Sequence, residues 1–260
     1  MPFRTIDAME YFYFELFEEY GLVQGIFTRK GGVSPAQWSS LNLGGTTGDS
    51  RANVIENRQR IFNAVHREVH SIFDVWQVHG TTAIATREPR ELDGKHQPAD
   101  IIFTNQARIT LMMRFADCVP IFLFDPRTRA IGIVHAGWQG TVKHACRLAV
   151  EEMTRVYGSK SGDILAGIGP SIGVDHYQVG EDVASKVATA FPDEHSELLI
   201  IRENKIYLDL WKANATTLKT AGVNKIEISG ICTACDTNRW YSHRAEGGAT
   251  GRFGAVLALP

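Results

Sequence analysis

The amino-acid sequence of 260 residues predicts an α/β (α+β) fold, in which a mixed β-sheet core is packed by helices in a single domain spanning residues 1–260. Three observations support this prediction. Short apolar runs typical of strands fill the middle of the chain, segments with helix-capping residues lie around them, and no low-complexity linker or internal repeat divides the sequence. Strands and helices do not alternate strictly, so we expect a mixed sheet and not a regular doubly wound one.

Four segments carry the start and stop signals of helices. The first, Arg51–His70, follows Asp49 and Ser50, whose side chains are suitable N-caps. The other three end where glycine or proline stops a helix: Thr141–Tyr157 before Gly158, Glu181–Phe191 before Pro192, and Leu208–Ala221 before Gly222.

Three apolar runs predict strands in the middle of the chain: Ile109–Phe115, Pro120–Phe124 and Ile131–His135. Three further segments, Ile164–Ile168, Lys225–Ser229 and Phe253–Leu259, complete the predicted sheet. Asp125 and Pro126 mark a turn between the second and third runs. The polar stretch Arg87–Asp100 is expected to be a surface loop.

The composition is that of an ordinary globular protein, with 44% hydrophobic and 22% charged residues. The net charge is -2 and no basic run stands out, so a nucleic-acid partner is not expected. The first twenty residues lack the basic region and cleavage site of a signal peptide, and no apolar run could span a bilayer. We therefore expect a cytoplasmic protein with no membrane partner. Its four cysteines suit a reducing compartment, where they serve as thiols or metal ligands.

Three segments place a candidate metal ligand beside glycine or at the end of a strand. His79 lies in Gln77–Gly80, Cys118 follows Asp117 in the connection between two strands, and His135 begins His135–Trp138. Thiolate and imidazole are ligands that Zn²⁺ prefers, and three protein ligands leave the open position of a catalytic site. The Asp117 carboxylate could orient a ligand or accept a proton. Cys118 and Asp117 are therefore the predicted catalytic residues.

The spacing of these three residues is not by itself diagnostic. The ligands are 39 and 17 residues apart, which matches no generic zinc pattern. On spacing alone, Cys118 could equally be a buried core thiol, with His79 and His135 as satisfied core histidines. A separate C-x-x-C, Cys232–Cys235, has no second C-x-x-C and no thioredoxin-like context, so it is interpreted as a pair of structural thiols.

Short motifs along nearly the whole chain carry a more specific signal. They are Thr28–Ser34, Ser40–Gly44, Glu56–Arg58, Gln77–Gly80, Ala116–Pro120, His135–Trp138, Gly169–Gly173, Tyr177–Gly180, Asp209–Leu210 and Thr250–Arg252. In these motifs and their order the chain resembles the laccase-domain proteins. That family is also called polyphenol oxidases or peptidoglycan editing factors, and its members are now regarded as purine nucleoside phosphorylases.

The resemblance implies a function and a site. The family's metal triad falls on His79, Cys118 and His135, and the family is associated with Zn²⁺. Its members phosphorolyse adenosine, inosine and S-methyl-5'-thioadenosine, with adenosine deamination as a side activity. The expected partners are therefore a small-molecule nucleoside and phosphate, bound in a cleft of an α/β fold. The oligomeric state and the preferred nucleoside stay open.

Four residues are predicted to bind substrate or phosphate: Arg29, Asn42, Arg244 and Arg252. Each of these arginines lies beside glycine or in a polar loop, and a guanidinium binds phosphate bidentately. A solvated surface charge is the alternative for each arginine. The chain also departs from the family, which usually has arginine where this chain has Gln139 and Ala245. Both changes remove a cation, so we expect weakened phosphate binding.

Two other functions are left open by the residues. In a cysteine- or zinc-dependent amidohydrolase that edits peptidoglycan precursors, Cys118 would be the nucleophile and His135 its base. A catalytically silent, partner-binding member of the family is the other alternative. A multicopper oxidase is not expected, because such enzymes use many histidines in H-x-H pairs, and this chain has nine histidines and no such pair.

Overall fold

The computed structural model describes residues 2–260, which form fifteen strands and six helices. The strands are β1 (Phe3–Ile6), β2 (Met9–Phe12), β3 (Val23–Phe27), β4 (Ile72–Phe73), β5 (Ala83–Ala85), β6 (Ile101–Thr104), β7 (Thr110–Phe115), β8 (Val119–Asp125), β9 (Ala130–Ala136), β10 (Leu165–Ile168), β11 (Gln178–Val179), β12 (Leu199–Arg202), β13 (Lys205–Leu208), β14 (Lys225–Ile228) and β15 (Phe253–Ala258). The helices are α1 (Arg51–Ala64), α2 (Trp138–Val142), α3 (Ala145–Tyr157), α4 (Glu181–Ala190), α5 (His195–Leu198) and α6 (Leu210–Thr220).

The strands form two mixed six-stranded sheets and one small antiparallel sheet. The first sheet has the order β1-β2-β3-β15-β7-β4, and only β4 and β7 are parallel within it. The second has the order β14-β10-β8-β9-β6-β5, with parallel pairs at its two edges. The third contains β11, β13 and β12. The predicted mixed fold with packed helices is confirmed, but the six predicted strands divide between two sheets.

Alternation along the central strands explains how the two large sheets pack. In β8, Ile121 and Leu123 face a core shared with α3, α4 and α6, whereas Phe122 and Phe124 face the first sheet. In β7 of the first sheet, Leu111 and Met113 pack in the same core as these two phenylalanines, and Met112 on the opposite side packs against α1. The order of layers is therefore α1, first sheet, second sheet, and then the remaining helices. Because both faces of each sheet are covered, the central strands are continuous apolar runs.

The chain passes from the first sheet to the second between β7 and β8. Asp117, in this connection, has a φ of 82°, and its carbonyl accepts a hydrogen bond from the Ile172 N–H at 3.0 Å. The left-handed backbone turns the chain sharply, so two consecutive apolar strands pair with different neighbours. This turn explains why the predicted strands do not form a single sheet.

Helix boundaries differ from the predictions at two histidines. The expected helix Arg51–His70 begins correctly, where the Ser50 Oγ accepts the Ala52 N–H at 3.2 Å, but α1 ends at Ala64. His66 follows with a φ of 53°, which a right-handed helix does not accommodate. His144, with a φ of 55°, likewise divides the expected Thr141–Tyr157 into α2 and α3. Within residues 2–260 there is no helix whose length and apolar character would let it cross a membrane.

Candidate metal centre and its cavity

The three side chains predicted as metal ligands come from three different connections. His79 lies in the loop between β4 and β5, Cys118 in the turn between β7 and β8, and His135 near the end of β9. Their ligand atoms all lie within 4.8 Å of one another. A His-Cys-His cluster of this size could hold one metal ion.

The buried carboxylate of Asp100 organises this cluster. Its Oδ1 lies 2.7 Å from His135 Nδ1 and accepts the His79 N–H at 3.0 Å, while its Oδ2 accepts the Gly80 N–H at 2.6 Å. The bond to Nδ1 leaves the Nε2 of His135 as its free ring nitrogen. Asp100 therefore fixes the ring of one candidate ligand and the backbone of another.

Two further features hold the His79 loop against the cluster. The Gln77 side-chain amide binds the backbone of β7 as a neighbouring strand would. Its Nε2 donates to the Arg114 carbonyl at 2.8 Å, and its Oε1 accepts the Arg114 N–H at 2.9 Å. Gly137 gives the ligands room, since a Cβ there would lie 2.7 Å from Cys118 Sγ and 3.4 Å from His79 Cδ2. Any larger residue at Gly137 would displace the thiol.

Cys118 and His135 form a strongly coupled pair. Burial alone would raise the pKa of the Cys118 thiol, but the His135 charge and hydrogen bonds from both histidines lower that pKa to about 6. Burial alone would lower the pKa of His135, yet the Cys118 charge and the Asp100 hydrogen bond raise it to about 9. The metal-free pair is therefore a thiolate beside an imidazolium near neutral pH.

The cluster opens into a cavity of about 730 Å³. Its wall combines aromatic side chains with cations, a composition that suits a ligand with both an apolar ring and an anionic group. The aromatic residues are Trp76, Phe115, Trp138 and Tyr177, and the arginines are Arg58, Arg114, Arg244 and Arg252.

Arg58 brings a partly buried guanidinium to this wall. Its buried Nε has no hydrogen-bond partner among residues 2–260. Asp74, the nearby carboxylate, is engaged by Arg90 at 2.6 Å and by Arg114 at 3.1 Å. Burial lowers the pKa of Arg58, although Asp74 opposes the effect. A guanidinium stays charged in proteins, so this side of the cavity has excess positive charge.

The structure brings only part of the predicted substrate-binding set into the cavity. Arg244 and Arg252 line it, and the Arg244 guanidinium lies 5.0 Å from the Tyr177 ring centroid while donating to the Gln178 carbonyl at 2.7 Å. Gln139 also lines the cavity, whereas the exposed Ala245 does not.

Arg29 and Asn42 lie outside the cavity, in structural positions. The Arg29 guanidinium donates to the Ser39 carbonyl at 2.7 Å and pairs with Glu246 at 2.9 Å. The Asn42 amide is fully buried, donates to Asp49 Oδ2 at 2.9 Å, and accepts the Arg252 N–H at 2.8 Å. Their polar atoms are already satisfied within the protein, so neither side chain is free to bind a ligand. Asn42 instead fixes the backbone of Arg252.

Asp117 lines the cavity but is bound at both carboxylate oxygens. Oδ1 accepts the Thr233 hydroxyl at 2.7 Å, and Oδ2 accepts the Arg244 N–H at 2.6 Å. These bonds stabilise the left-handed turn that presents Cys118. The carboxylate that orients a candidate ligand, His135, is therefore Asp100 and not Asp117.

Sequence reasoning missed Asp100 and Arg58. Asp100 ends the polar stretch Arg87–Asp100, and nothing local distinguishes it from the exposed acids of that loop. Arg58 belongs to the motif Glu56–Arg58, so its signal was present but was not assigned a role.

Comparisons with known proteins agree with this architecture. Residues 23–260 match the family model described as multi-copper polyphenol oxidoreductase laccase. A protein of Deinococcus radiodurans named purine nucleoside phosphorylase is 37% identical over 234 residues, which cover 90% of this chain and 87% of that protein. Purine nucleoside phosphorylase YlmD of Bacillus subtilis is 33% identical over 246 residues, covering 92% of this chain and 88% of that protein.

Solved structures show the same fold. The crystal structure of YlmD from Geobacillus stearothermophilus has a TM-score of 0.93 and 30% identity, covering 99% of this chain and 98% of that one. The crystal structure of a Bacillus licheniformis hypothetical protein, YfiH, has a TM-score of 0.92 and 30% identity, covering 100% of this chain and 99% of that one.

Proposed function

The chain belongs to the multi-copper polyphenol oxidoreductase laccase family, and we propose that it is a zinc-dependent purine nucleoside phosphorylase. We further propose adenosine, inosine and S-methyl-5'-thioadenosine as substrates, with adenosine deamination as a side activity. The observation that carries the proposal is the cavity of about 730 Å³, in which a His-Cys-His cluster, an arginine with an unpartnered buried Nε and aromatic side chains meet. The names of the curated relatives support the same activity.

The donor set of the cluster fits Zn²⁺. One thiolate and two imidazoles, from Cys118, His79 and His135, are ligands that zinc prefers, and Asp100 supplies the carboxylate that often orients such a histidine. With three protein ligands, Zn²⁺ would have one position open and would supply Lewis-acid chemistry there. The chain's own contribution is to fix these ligands in place.

Phosphate binding is assigned to the cationic wall. Arg58 has a buried Nε without a partner, and the side chain of Arg252 donates only to backbone carbonyls, of Thr250 at 3.2 Å and Gly251 at 2.7 Å. Each charge-assisted hydrogen bond to phosphate contributes about 1.5–3 kcal/mol. Arg58 and Arg252 therefore hold inorganic phosphate, with Arg244 at the edge. In this proposal Arg58 takes the phosphate-binding role that the sequence analysis gave to Arg29 and Asn42.

The nucleoside base is assigned to the aromatic part of the cavity. Trp76, Trp138 and Tyr177 offer flat apolar surfaces against which a purine can stack. Trp76 is half exposed, so a bound base would cover apolar surface that is otherwise in water. The two walls together would hold phosphate and nucleoside in one cavity, which is the arrangement that phosphorolysis requires.

A cysteine amidohydrolase is the second candidate, because Asp100, His135 and Cys118 form a hydrogen-bonded series. The lowered pKa of Cys118 suits a nucleophile as well as a metal ligand. The hydrolase, however, gives no role to His79, whose ring nitrogen lies within 4.8 Å of the other two ligand atoms.

Metal analysis of Cys118→Ser separates the two functions. As a ligand, Cys118 is needed for metal binding, so the variant should lose about one ion per chain together with its activity. A control is Cys146→Ala, which removes a buried thiol that does not line the cavity and should leave metal content and activity unchanged. Loss of activity at unchanged metal content would instead favour the hydrolase.

A further inference from the structure

A second cluster of soft ligands lies outside the cavity. The ligand atoms of His176, Cys232 and Cys235 are within 4.8 Å of one another, and none of the three residues lines the cavity. His176 Nδ1 is 3.6 Å from the Sγ atom of each cysteine. Cys232 and Cys235 are both free thiols.

These spacings match those around one tetrahedral ion. With metal–sulfur bonds of ~2.3 Å and metal–nitrogen bonds of ~2.0–2.1 Å, tetrahedral angles place sulfur and nitrogen about 3.6 Å apart. Both measured nitrogen–sulfur distances have this value. A direct thiol–imidazole hydrogen bond would require only one of the two sulfurs to approach the ring, so the equal distances favour a shared ion.

The backbone around the cluster is arranged to bring the ligands together. Cys232 pairs with Ser171 through an isolated parallel bridge, and its Sγ accepts the Gly173 N–H at 3.2 Å. A Cβ at Gly173 would approach within 3.2 Å of the Cys232 Cβ, so the absence of a side chain permits this contact. The His176 N–H donates to the Gly173 carbonyl at 3.0 Å, which closes a turn that carries the ring to the sulfurs.

Burial argues against the interpretation of Cys232 and Cys235 as structural thiols. Cys235 and His176 are exposed, and Cys232 is only half-buried. Thiols that serve packing are normally buried, as Cys146 is. Carboxylates also adjoin the ligands in sequence: Asp175, which pairs with Arg202, precedes His176, and Asp236, 3.8 Å from Arg239, follows Cys235.

We propose that His176 Nδ1, Cys232 Sγ and Cys235 Sγ form a second metal site, which binds Zn²⁺ or a divalent cation of the same thiophilic class. Binding replaces two S–H bonds by two metal–sulfur bonds, and both protons are released to solvent without any change of oxidation state. The fourth position faces solvent, where water or a neighbouring carboxylate completes the coordination.

The second site is connected to the first centre by one hydrogen bond. Thr233 lies between the two cysteines, and its hydroxyl donates to Asp117 Oδ1 at 2.7 Å, beside the ligand Cys118. An ion at the second site would hold the Thr233 segment in place and so support the turn that presents Cys118. Its role is structural, and its loss should lower the melting temperature.

Co²⁺ titration in a Cys118→Ser background tests the site directly. That substitution removes the only thiol of the first centre, so any thiolate-to-cobalt charge-transfer absorption must arise elsewhere. We expect this absorption to persist and to saturate at about one ion per chain, and to disappear in Cys118→Ser/Cys235→Ser. Absence of the band in the single variant, with circular dichroism showing a folded chain, would overturn the proposal.

Zinc counting on the otherwise unmodified chain provides the second measurement. Native mass spectrometry should find two ions per chain in the wild type and one in His176→Ala or Cys235→Ser. His195→Ala, which changes a half-buried histidine outside either cluster, should keep two. One ion in the wild type that survives both His176→Ala and Cys235→Ser would contradict the second site, as would a Cys232–Cys235 disulfide in protein purified under reducing conditions.

Discussion

At the scale of single residues, a buried carboxylate determines how two of the candidate ligands are presented. The Asp100 carboxylate forms hydrogen bonds with His135 Nδ1 and with the backbone N–H groups of His79 and Gly80. Burial would raise the pKa of Asp100, but the His135 hydrogen bond and charge and the backbone donors hold it below its usual value. The residue is therefore a stable anion that can compensate a metal or an imidazolium.

Asp100→Asn should weaken metal binding without removing a ligand. The amide keeps the shape of the carboxylate but loses its charge and fixes the His135 ring poorly, which typically costs about 10–100-fold in metal affinity. Competition with a chelator measures the change. The matched control is Asp125→Asn, which changes a buried carboxylate at the end of β8 and should leave affinity unchanged. Equal effects of the two substitutions would contradict the role of Asp100.

The coupled pair predicts how metal affinity depends on pH. The pKa of Cys118 is lowered to about 6 and that of His135 is raised to about 9, so between these values the metal-free pair retains one proton. Metal binding needs thiolate and neutral imidazole and must release that proton. Affinity should therefore rise by about tenfold per pH unit between pH 6 and 9, and more steeply below 6. Affinity that is flat across this window would show that the pair does not titrate in this way.

At the scale of secondary-structure elements, the sequence predicted the central strands better than the helix ends. The six predicted strands correspond to β7, β8, β9, β10, β14 and β15, and all of them except β14 are largely apolar because both faces of the sheets are covered. β14 is a partly exposed edge strand, and the other edge strands, β1, β4 and β5, were not predicted. The C-terminal end of α1 and the division between α2 and α3 depend on left-handed backbone at His66 and His144. Glycine at these positions would have indicated such a backbone, but histidine does not.

The start of α2 gives a prediction about phosphate. Gln139 lies in the first turn of α2 and lines the cavity, so Gln139→Arg should add a cation there and lower the apparent KM for phosphate by up to about tenfold. Deamination, in which water is the nucleophile, should change little. Ala245→Arg is the control, because Ala245 is exposed and does not line the cavity. A phosphate titration that is identical for wild type and Gln139→Arg would remove Gln139 from the anion site.

At the scale of the whole molecule, the site lies where the chain passes between its two large sheets. The turn at Asp117 ends β7 in one sheet and begins β8 in the other, and it presents Cys118 to His79 and His135. The candidate ligands were predictable because they lie in recognisable motifs. Asp100 was not, because its role arises only when the sheets stack and bury a carboxylate that looks like a surface charge in sequence. Arg58 lies in the motif Glu56–Arg58, but its unpartnered buried Nε is visible only in the structure.

The central claim is that one cavity binds both a nucleoside and phosphate and transfers the ribosyl group between them. The measurement that tests it most directly is product analysis of adenosine turnover by the metal-loaded protein with and without inorganic phosphate. We expect adenine and ribose 1-phosphate to form in equal amounts, at a rate that rises with phosphate and falls in Arg58→Gln. A turnover rate that is independent of phosphate, or free ribose in place of ribose 1-phosphate, would contradict phosphorolysis and the assignment of phosphate binding to the cationic wall.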